Sequence, residues 1–334
     1  MELAIPVWFE ITSLALLSAI IIADLIFAYR RPHIPSVLES SLWVAFYVGL
    51  AIVFAGLLWM VGDVEHAGQF VAGWLTEYSL SIDNLFVFLI IMSRFSVPKK
   101  YQQEILMVGI LIALILRAIF IIIGAQLIEN FSWIFYLFGA FLLFTAWQQA
   151  STSHSEQEET ESRIIRFLRR RIAITDTFDG GKLRTVVDGK KTFTPVLVVI
   201  IALGATDLVF ALDSIPAIFG ITQNAFIVFA ANVFALMGLR QLYFLLGDLI
   251  DRLVYLRYGI AFILGFIGVK LVFHALHTNE VFFINSGLPV EWAPEISTWV
   301  SLAVIVGAMA VATIASLIAL RIRDGASTSS RAGS

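Results

Sequence analysis

The sequence predicts an all-α integral membrane protein of about nine transmembrane helices, with an inverted three-plus-three repeat, the N-terminus outside and the C-terminus inside. Three observations predict it. First, 59% of the 334 residues are hydrophobic and only 14% are charged, whereas soluble domains are roughly 45–50% apolar and about 25% charged. Second, the apolar residues come in blocks of about 20 or more, enough to cross a hydrocarbon core of ~30 Å as a helix. Third, the basic residues alternate. Nineteen of the 22 lysines and arginines fall in one alternate set of connections, the other set and the N-terminal tail hold none, and Arg117, Arg240 and Lys270 lie within spans. Cytoplasmic connections carry the excess of Lys and Arg, which sets the orientation and favours an odd number of spans.

Each element follows in order. Span 5–29 has no basic segment before it and continues past Asp24 without a small-residue cleavage site, so it reads as a membrane helix and not a cleavable signal. With span 41–62 it makes an N-terminal pair, 1–69. Spans 70–93, 104–128 and 131–149 make the first three-helix repeat, 70–149. The cytoplasmic connection 150–192 opens with Glu156, Glu158, Glu159 and Glu161, then interleaves Arg163, Arg166, Arg169, Arg170 and Arg171 with Ile164, Ile165, Phe167, Leu168 and Ile172. That interleaving suits a short amphipathic helix on anionic lipid, or a solvated linker. Residues 184–193 read as a hairpin about an Asp188-Gly189 turn. Spans 193–219, 225–247 and 254–277 make the second repeat, 193–277. The remainder, 278–334, holds an extracytoplasmic loop, span 296–320 and a cytoplasmic tail.

The repeat rests on three matches in order. Glu77-Tyr-Ser-Leu-Ser-Ile-Asp83-Asn84 in the third span parallels Asp207-Leu-Val-Phe-Ala-Leu-Asp213-Ser214 in the sixth. Leu116-Arg117…Phe120…Gly124 parallels Leu239-Arg240…Tyr243…Gly247, and Tyr136 to Phe144 parallels Tyr258 to Phe266 more weakly. The third span runs inward and the sixth outward, so the copies are inverted. Secondary transporters are commonly built this way, with the substrate near the bilayer midplane between the halves; a duplicated scaffold without transport is the alternative.

Composition narrows the chemistry. The chain has no cysteine, which removes disulfides, thiolate metal sites, iron–sulfur clusters and cysteine nucleophiles. A net charge of −3 points to no nucleic-acid partner. No nucleotide-binding motif is present, and no Gly-x-Gly-Asp surrounds a span aspartate as in an intramembrane protease, so an enzyme is not expected.

Five acids lie well inside spans, away from their ends: Asp24, Glu77, Asp83, Asp207 and Asp213. A carboxylate at the bilayer centre costs ~2.5–3.5 kcal/mol on insertion scales, so five demand compensation. Arg117, Arg240 and Lys270 leave two negative charges over, matching one divalent cation or two protons. The donors beside them are hard oxygens: Asn84, Ser79, Ser81, Thr206 and Ser214. Such a set suits Mg²⁺, Ca²⁺ or Mn²⁺. Asp83, Asp213, Asp207, Glu77, Asn84 and Ser214 are therefore the candidate metal ligands. Arg117 and Arg240 serve as structural ion pairs or as gating groups, and Asp24 as the partner of Lys270 or an arginine, or as a ligand. Asn232, at the place Gly109 occupies in the first copy, serves as an interhelical hydrogen bond before a ligand. His33, His66 and His154 fall in connections, and His274 and His277 at the outer end of the eighth span. Residues six apart on a helix point ~120° apart, so both acids of a pair share one site only if the helix unwinds. Pro216 and Gly204 predict such a break in the sixth span.

At Glu77-x5-Asp83-Asn84 and Thr206-Asp207-Leu-Val-Phe-Ala-Leu-Asp213-Ser214-Ile-Pro-Ala217, and again over Phe138 to Thr145 and at Leu239-Arg240, the chain resembles the TerC family of integral membrane proteins, nearest its Alx-like branch. The resemblance covers most of the chain. It implies manganese export, delivery of manganese to exported enzymes, tellurite resistance in name and, in a plastid branch, thylakoid assembly. It also implies that Glu77, Asp83, Asp207 and Asp213 form the acidic site, with Asn84 and Ser214 beside them. Similar proteins often carry a glutamate where this chain has Gly204, a departure that bears on metal choice.

The expected function is thus export of a divalent cation, Mn²⁺ first and Ca²⁺ second, across the bacterial inner membrane, with protons as the coupling ion. The alternative is a membrane assembly or metal-delivery factor for exported or membrane proteins. Expected partners are the cation and the lipid bilayer, with membrane-protein partners or a homo-oligomer beyond them.

Overall fold

The computed structural model describes residues 5–30, 35–95, 97–131, 133–151, 182–187, 190–246, 255–279, 281–282, 284–290 and 292–331. The amphipathic stretch 163–172, the Asp188-Gly189 turn, His33, His154 and Gly247 lie outside them, and the side chain of Asp83 is likewise outside the description.

A helix occupies each predicted span. These are α1 (Val7–Arg30), α2 (Val37–Val61), α3 (Val64–Arg94), α4 (Lys99–Asn130), α5 (Ile134–Ser151), α6 (Pro195–Phe219), α7 (Ala225–Met237) continued by α8 (Leu239–Leu246), α9 (Leu256–His277) and α10 (Thr298–Arg331). Among the described residues, eight spans are long and apolar enough to cross a membrane, α7 and α8 counting together. The remaining predicted span, the fifth, is α5, whose 18 residues reach about 27 Å at helical rise and carry Gln148 and Gln149 in the last turn. Between α5 and α6, strands β1 (Arg184–Val187) and β2 (Lys190–Phe193) pair antiparallel, Val187 opposite Lys190.

The ends of the helices are written in local chemistry. Asp63 caps α3 by accepting the His66 N–H at 2.8 Å, and Asn224 caps α7 by accepting from the N–H groups of Phe226 and Ile227. Such side chains satisfy backbone donors that the first turn leaves without a partner. Pro195 opens α6, where the missing N–H costs nothing. His66, placed in a connection by the sequence reading, belongs to the first turn of α3.

The pairing of the helices has a symmetry of its own. The most extensive contacts are α5 with α9, α3 with α7, and α4 with α6. Exchanging the two sequence repeats turns α3·α7 into α6·α4 and leaves α5·α9 as it is. Each repeat therefore packs mainly on the other copy, not on itself. The α7–α8 span is the most enclosed, 89% of its window being buried, against 11% for α1. α1, α2 and α10 surround a core of α3, α4, α6 and α7.

Glycine sets the closest approach. A Cβ on Gly139 of α5 would lie 2.7 Å from Val272 Cγ2 and 2.9 Å from the Gly268 carbonyl of α9. Small residues of this kind let membrane helices pack backbone to backbone.

The expected break in the sixth span is absent. α6 runs unbroken through Gly204, Asp207 and Asp213 to Phe219, with Pro216 in its last turn. α3 is also unbroken through Glu77 and Asp83. The interruption comes instead at Gly238, between α7 and α8, in the span that carries Arg240.

A buried carboxylate–guanidinium centre as the candidate site

Arg117 is the hub. Its side chain, fully buried midway along α4, meets one polar residue from each of three other helices. Nε and Nη2 donate to the two carboxylate oxygens of Asp207 on α6, at 3.1 and 3.0 Å. Nη1 donates to Asn232 Oδ1 on α7 at 3.1 Å and pairs with Glu77 on α3. Arg117 and Glu77 have no exposed surface, and Asp207 and Asn232 are 1% exposed. A rigid guanidinium fork is suited to this task, since it presents several donors in one plane and stays charged when buried.

Continuous helices explain which acids arrive here. With α3 and α6 regular, residues six apart cannot share a direction; Glu77 and Asp207, the leading acids of the two motifs, converge on Arg117. Asp213 lies half-buried further along α6, and it does have an interaction partner. Asn84 and Ser214 are buried nearby in sequence on the same two helices. Ser79 is not turned to a site: its hydroxyl donates to the Leu75 carbonyl of its own helix at 2.6 Å. Among the described residues, the hydroxyls of Ser81 and Ser214 and the Asn232 amide nitrogen are buried with no hydrogen-bond partner. Buried polar atoms are normally paired, so these mark the α3–α6–α7 interior as a place with unused polar capacity. No group of three or more described His, Asp or Glu side chains stands ready as a preformed metal cage.

The accessory residues separate. Arg240 Nη2 donates to Asp24 Oδ1 at 2.9 Å, with the Tyr47 ring of α2 alongside. Asp24 therefore takes an arginine, not Lys270. Lys270 sits near the outer end of α9, where Nζ donates to the Ser301 hydroxyl at 3.0 Å. It lines a polar cavity of about 430 Å³ together with Glu65, His66, Gln69, Thr222 and His274. Thr222 donates to Gln69 Oε1 at 2.6 Å, tying α3 to the α6–α7 turn. Sequence reading missed Gln69 and Thr222. Their signal was available only as two polar residues in connections without basic charge, which is too common a pattern to single out.

Apolar packing closes the centre on both sides. Toward the cavity, Phe219, Ile218, Ile121 and Val228 form one buried cluster, and Phe219 lies so close to Gly124 that a Cβ there would meet its ring at 2.9 Å. Toward the other end, Leu85, Phe88, Leu106, Leu203 and Leu236 belong to a second cluster.

The chain is similar to known membrane proteins. The model of the integral membrane protein TerC family matches residues 62–324, from the start of α3 into α10. The chain belongs to the TerC family. Within it, an uncharacterized membrane protein of Mycobacterium tuberculosis H37Rv is 46% identical over 92% of this chain and 79% of its own. An uncharacterized membrane protein of Myxococcus xanthus is 39% identical over 92% of this chain and 91% of its own. A protein of Escherichia coli K12 with the provisional name membrane-bound redox modulator Alx is 39% identical over 77% of this chain and 84% of its own. No solved structure matches the chain. This TerC protein is a multi-pass membrane protein with bacterial relatives, and its α1 and α2 lie outside the stretch that defines the family.

Proposed function

We propose that this TerC protein exports a divalent cation, Mn²⁺ in the first place, across the bacterial inner membrane, and that it is not an enzyme. One observation carries the reading: two fully buried carboxylates, Glu77 and Asp207, share a single guanidinium. If both are ionised, one negative charge is left in a medium that strongly disfavours it. A cation is the direct complement, and the partnerless hydroxyls of Ser81 and Ser214 add the hard oxygen donors that Mn²⁺ accepts.

In this reading Arg117 is a tethered counter-ion for the cargo-free state. The cation enters from the cytoplasm by way of Asp83, takes Asp207 and Glu77 in place of the guanidinium, and leaves by way of Asp213, since acids six apart on a regular helix serve successive positions. Rocking of the two repeats then opens the apolar plug at Phe219 toward the polar outer cavity, and Arg117 takes the carboxylates again when the repeats rock back. Protons entering on the same carboxylates would drive the return. Gly204 bears on selectivity: a side chain there meets Ile112 Cγ2 at 3.2 Å, so an added glutamate must first displace that residue.

The name of the Escherichia coli relative is compatible with the same activity. A chain without cysteine cannot act through a thiol couple, whereas moving a redox-active cation alters redox balance without one. The test is Mn²⁺ flux in proteoliposomes under an imposed pH gradient, with Ca²⁺ and Zn²⁺ as competitors. Wild type should carry Mn²⁺, and Asp83→Asn, Asp207→Asn and Asp213→Asn should not, while remaining inserted. Flux that survives all three substitutions overturns the site; no flux of any cation from folded wild type favours the assembly or metal-delivery role.

A further inference from the structure

Arg117 and Arg240 occupy the same position of the two repeats, each after a leucine and seven residues before a glycine, yet their surroundings differ. Arg117 stands on an unbroken helix and takes both repeat-equivalent acids, Glu77 and Asp207. Arg240 stands just past the interruption at Gly238 and has Asp24 among its partners. Asp24 has no counterpart in either repeat. It comes from α1, a helix outside the family-defining stretch, sparsely attached to α4 and α7.

A small cavity of about 40 Å³ is lined by Asp24, Arg240, Met107 and Ile110. Met107 and Ile110 flank Gly109, the repeat equivalent of Asn232, and Asn232 is what Arg117 reaches in the other copy. Arg240 thus already adjoins the segment of α4 that mirrors Arg117's contact on α7. A Cβ on Gly238 would meet nothing nearer than Tyr47 at 3.9 Å.

We propose that Asp24 is a surrogate carboxylate, holding Arg240 in the state seen here, and that in the opposite state of the cycle Arg240 leaves it for the acids that Arg117 releases. This rests on the transport reading above. Exchanging the conformations of inverted repeats exchanges the roles of their equivalent residues. Handing the acids from one guanidinium to the other keeps buried carboxylates paired in both states, and Asp24 keeps the waiting guanidinium paired in turn. Asp24 and Arg240 are then positioning residues for cation passage.

The chain has no cysteine, so Ile22→Cys on α1 and Leu245→Cys on α8 introduce its only two thiols. Spin labels on this pair, read by pulsed electron resonance in lipid vesicles, should show two separations. Asp24→Asn should raise the longer-distance population by about threefold or more, and Asp24→Glu, which keeps the charge, should leave the wild-type distribution. A single separation unmoved by Asp24→Asn overturns the proposal. Joining the same thiols with a bis-methanethiosulfonate cross-linker matched to the shorter separation, each thiolate displacing methanesulfinate to form a disulfide, should abolish Mn²⁺ flux, and reduction should restore it. Flux persisting in the joined protein also overturns the exchange. No flux from the unjoined protein overturns the transport reading instead, and the distance distributions still decide the exchange.

Discussion

Arg117 grips Asp207 at two points, Nε to one carboxylate oxygen at 3.1 Å and Nη2 to the other at 3.0 Å, across 90 residues of sequence. The two belong to different repeats, so this clasp joins the halves of the molecule in its buried interior. The same guanidinium also takes Glu77, the repeat equivalent of Asp207. A single side chain therefore holds both leading acids of the duplicated motif, and any account of how the protein works has to move it.

Removing Arg117 strands two buried carboxylates. Arg117→Ala should destabilise the folded protein by about 3–5 kcal/mol, the range for breaking a buried pair at one end. Arg117→Ala combined with Asp207→Asn and Glu77→Gln should recover much of that loss, because no uncompensated charge remains. Thermal unfolding in detergent of the single and combined variants measures it; a combined variant no better than Arg117→Ala contradicts the shared-charge account.

Asn232 contributes through its carbonyl oxygen, which accepts from Arg117 Nη1. Hydrogen bonds to charged groups contribute about 1.5–3 kcal/mol, so Asn232→Leu should lower stability by that order, whereas Asn232→Asp should strengthen the hold on Arg117 and slow any step that releases it. Comparing stability with Mn²⁺ flux for the two variants separates these effects. A variant pair that shifts stability and flux identically would rule out a role in release.

At the α5–α9 contact, the prediction is steric. Gly139→Leu should disrupt the pairing, since even a Cβ meets Val272 and the Gly268 carbonyl within 3 Å, while Gly49→Leu on α2, with nothing within 4 Å, should be tolerated. Yield of monodisperse protein after extraction, compared between the two, reads this out. Equal yields would mean that α5 is not held by close approach.

The Asp63 carboxyl, capping α3 outside the spans, is held below its usual pKa chiefly by the His66 N–H it accepts. A pKa lower in the folded state means that the cap contributes fully above the unfolded value of about 3.9 and is lost as pH falls through the lower folded value. Asp63→Ala should cost about 1 kcal/mol near neutral pH, a typical N-cap loss, and the difference from wild type should shrink at pH values below that of the folded carboxyl. Unfolding midpoints of both proteins across acidic pH test it; a gap that widens as pH falls would refute the cap.

How far the sequence could be read depends on what kind of signal each feature leaves. Spans are visible because hydrocarbon thickness imposes one length on every helix, and Val37–Val61 or Leu256–His277 fall within a few residues of their predicted ranges. The repeat was visible because Glu77 with Asp83 and Asp207 with Asp213 keep the same spacing. The break was misplaced because Pro216 removes one donor near the end of α6 without ending it, and where a helix ends is set by its packing partners; Gly238 carried no comparable mark.

The division between sequence and fold is clearest at the charges. That five acids and three bases lie well inside spans follows from composition and order alone, since the bilayer makes every such residue an exception needing compensation. Which base meets which acid does not follow. Arg117 could have neutralised any of them, and Asp24 could have met Lys270. The choice falls to the packing of α4 on α6, which brings Arg117 to Asp207, and to the turn at Gly238, past which Arg240 meets Asp24 while Lys270 remains near the outer end of α9. Ion pairing acts over a few ångströms, and separations of 90 and 216 residues are closed to that range only by the tertiary fold.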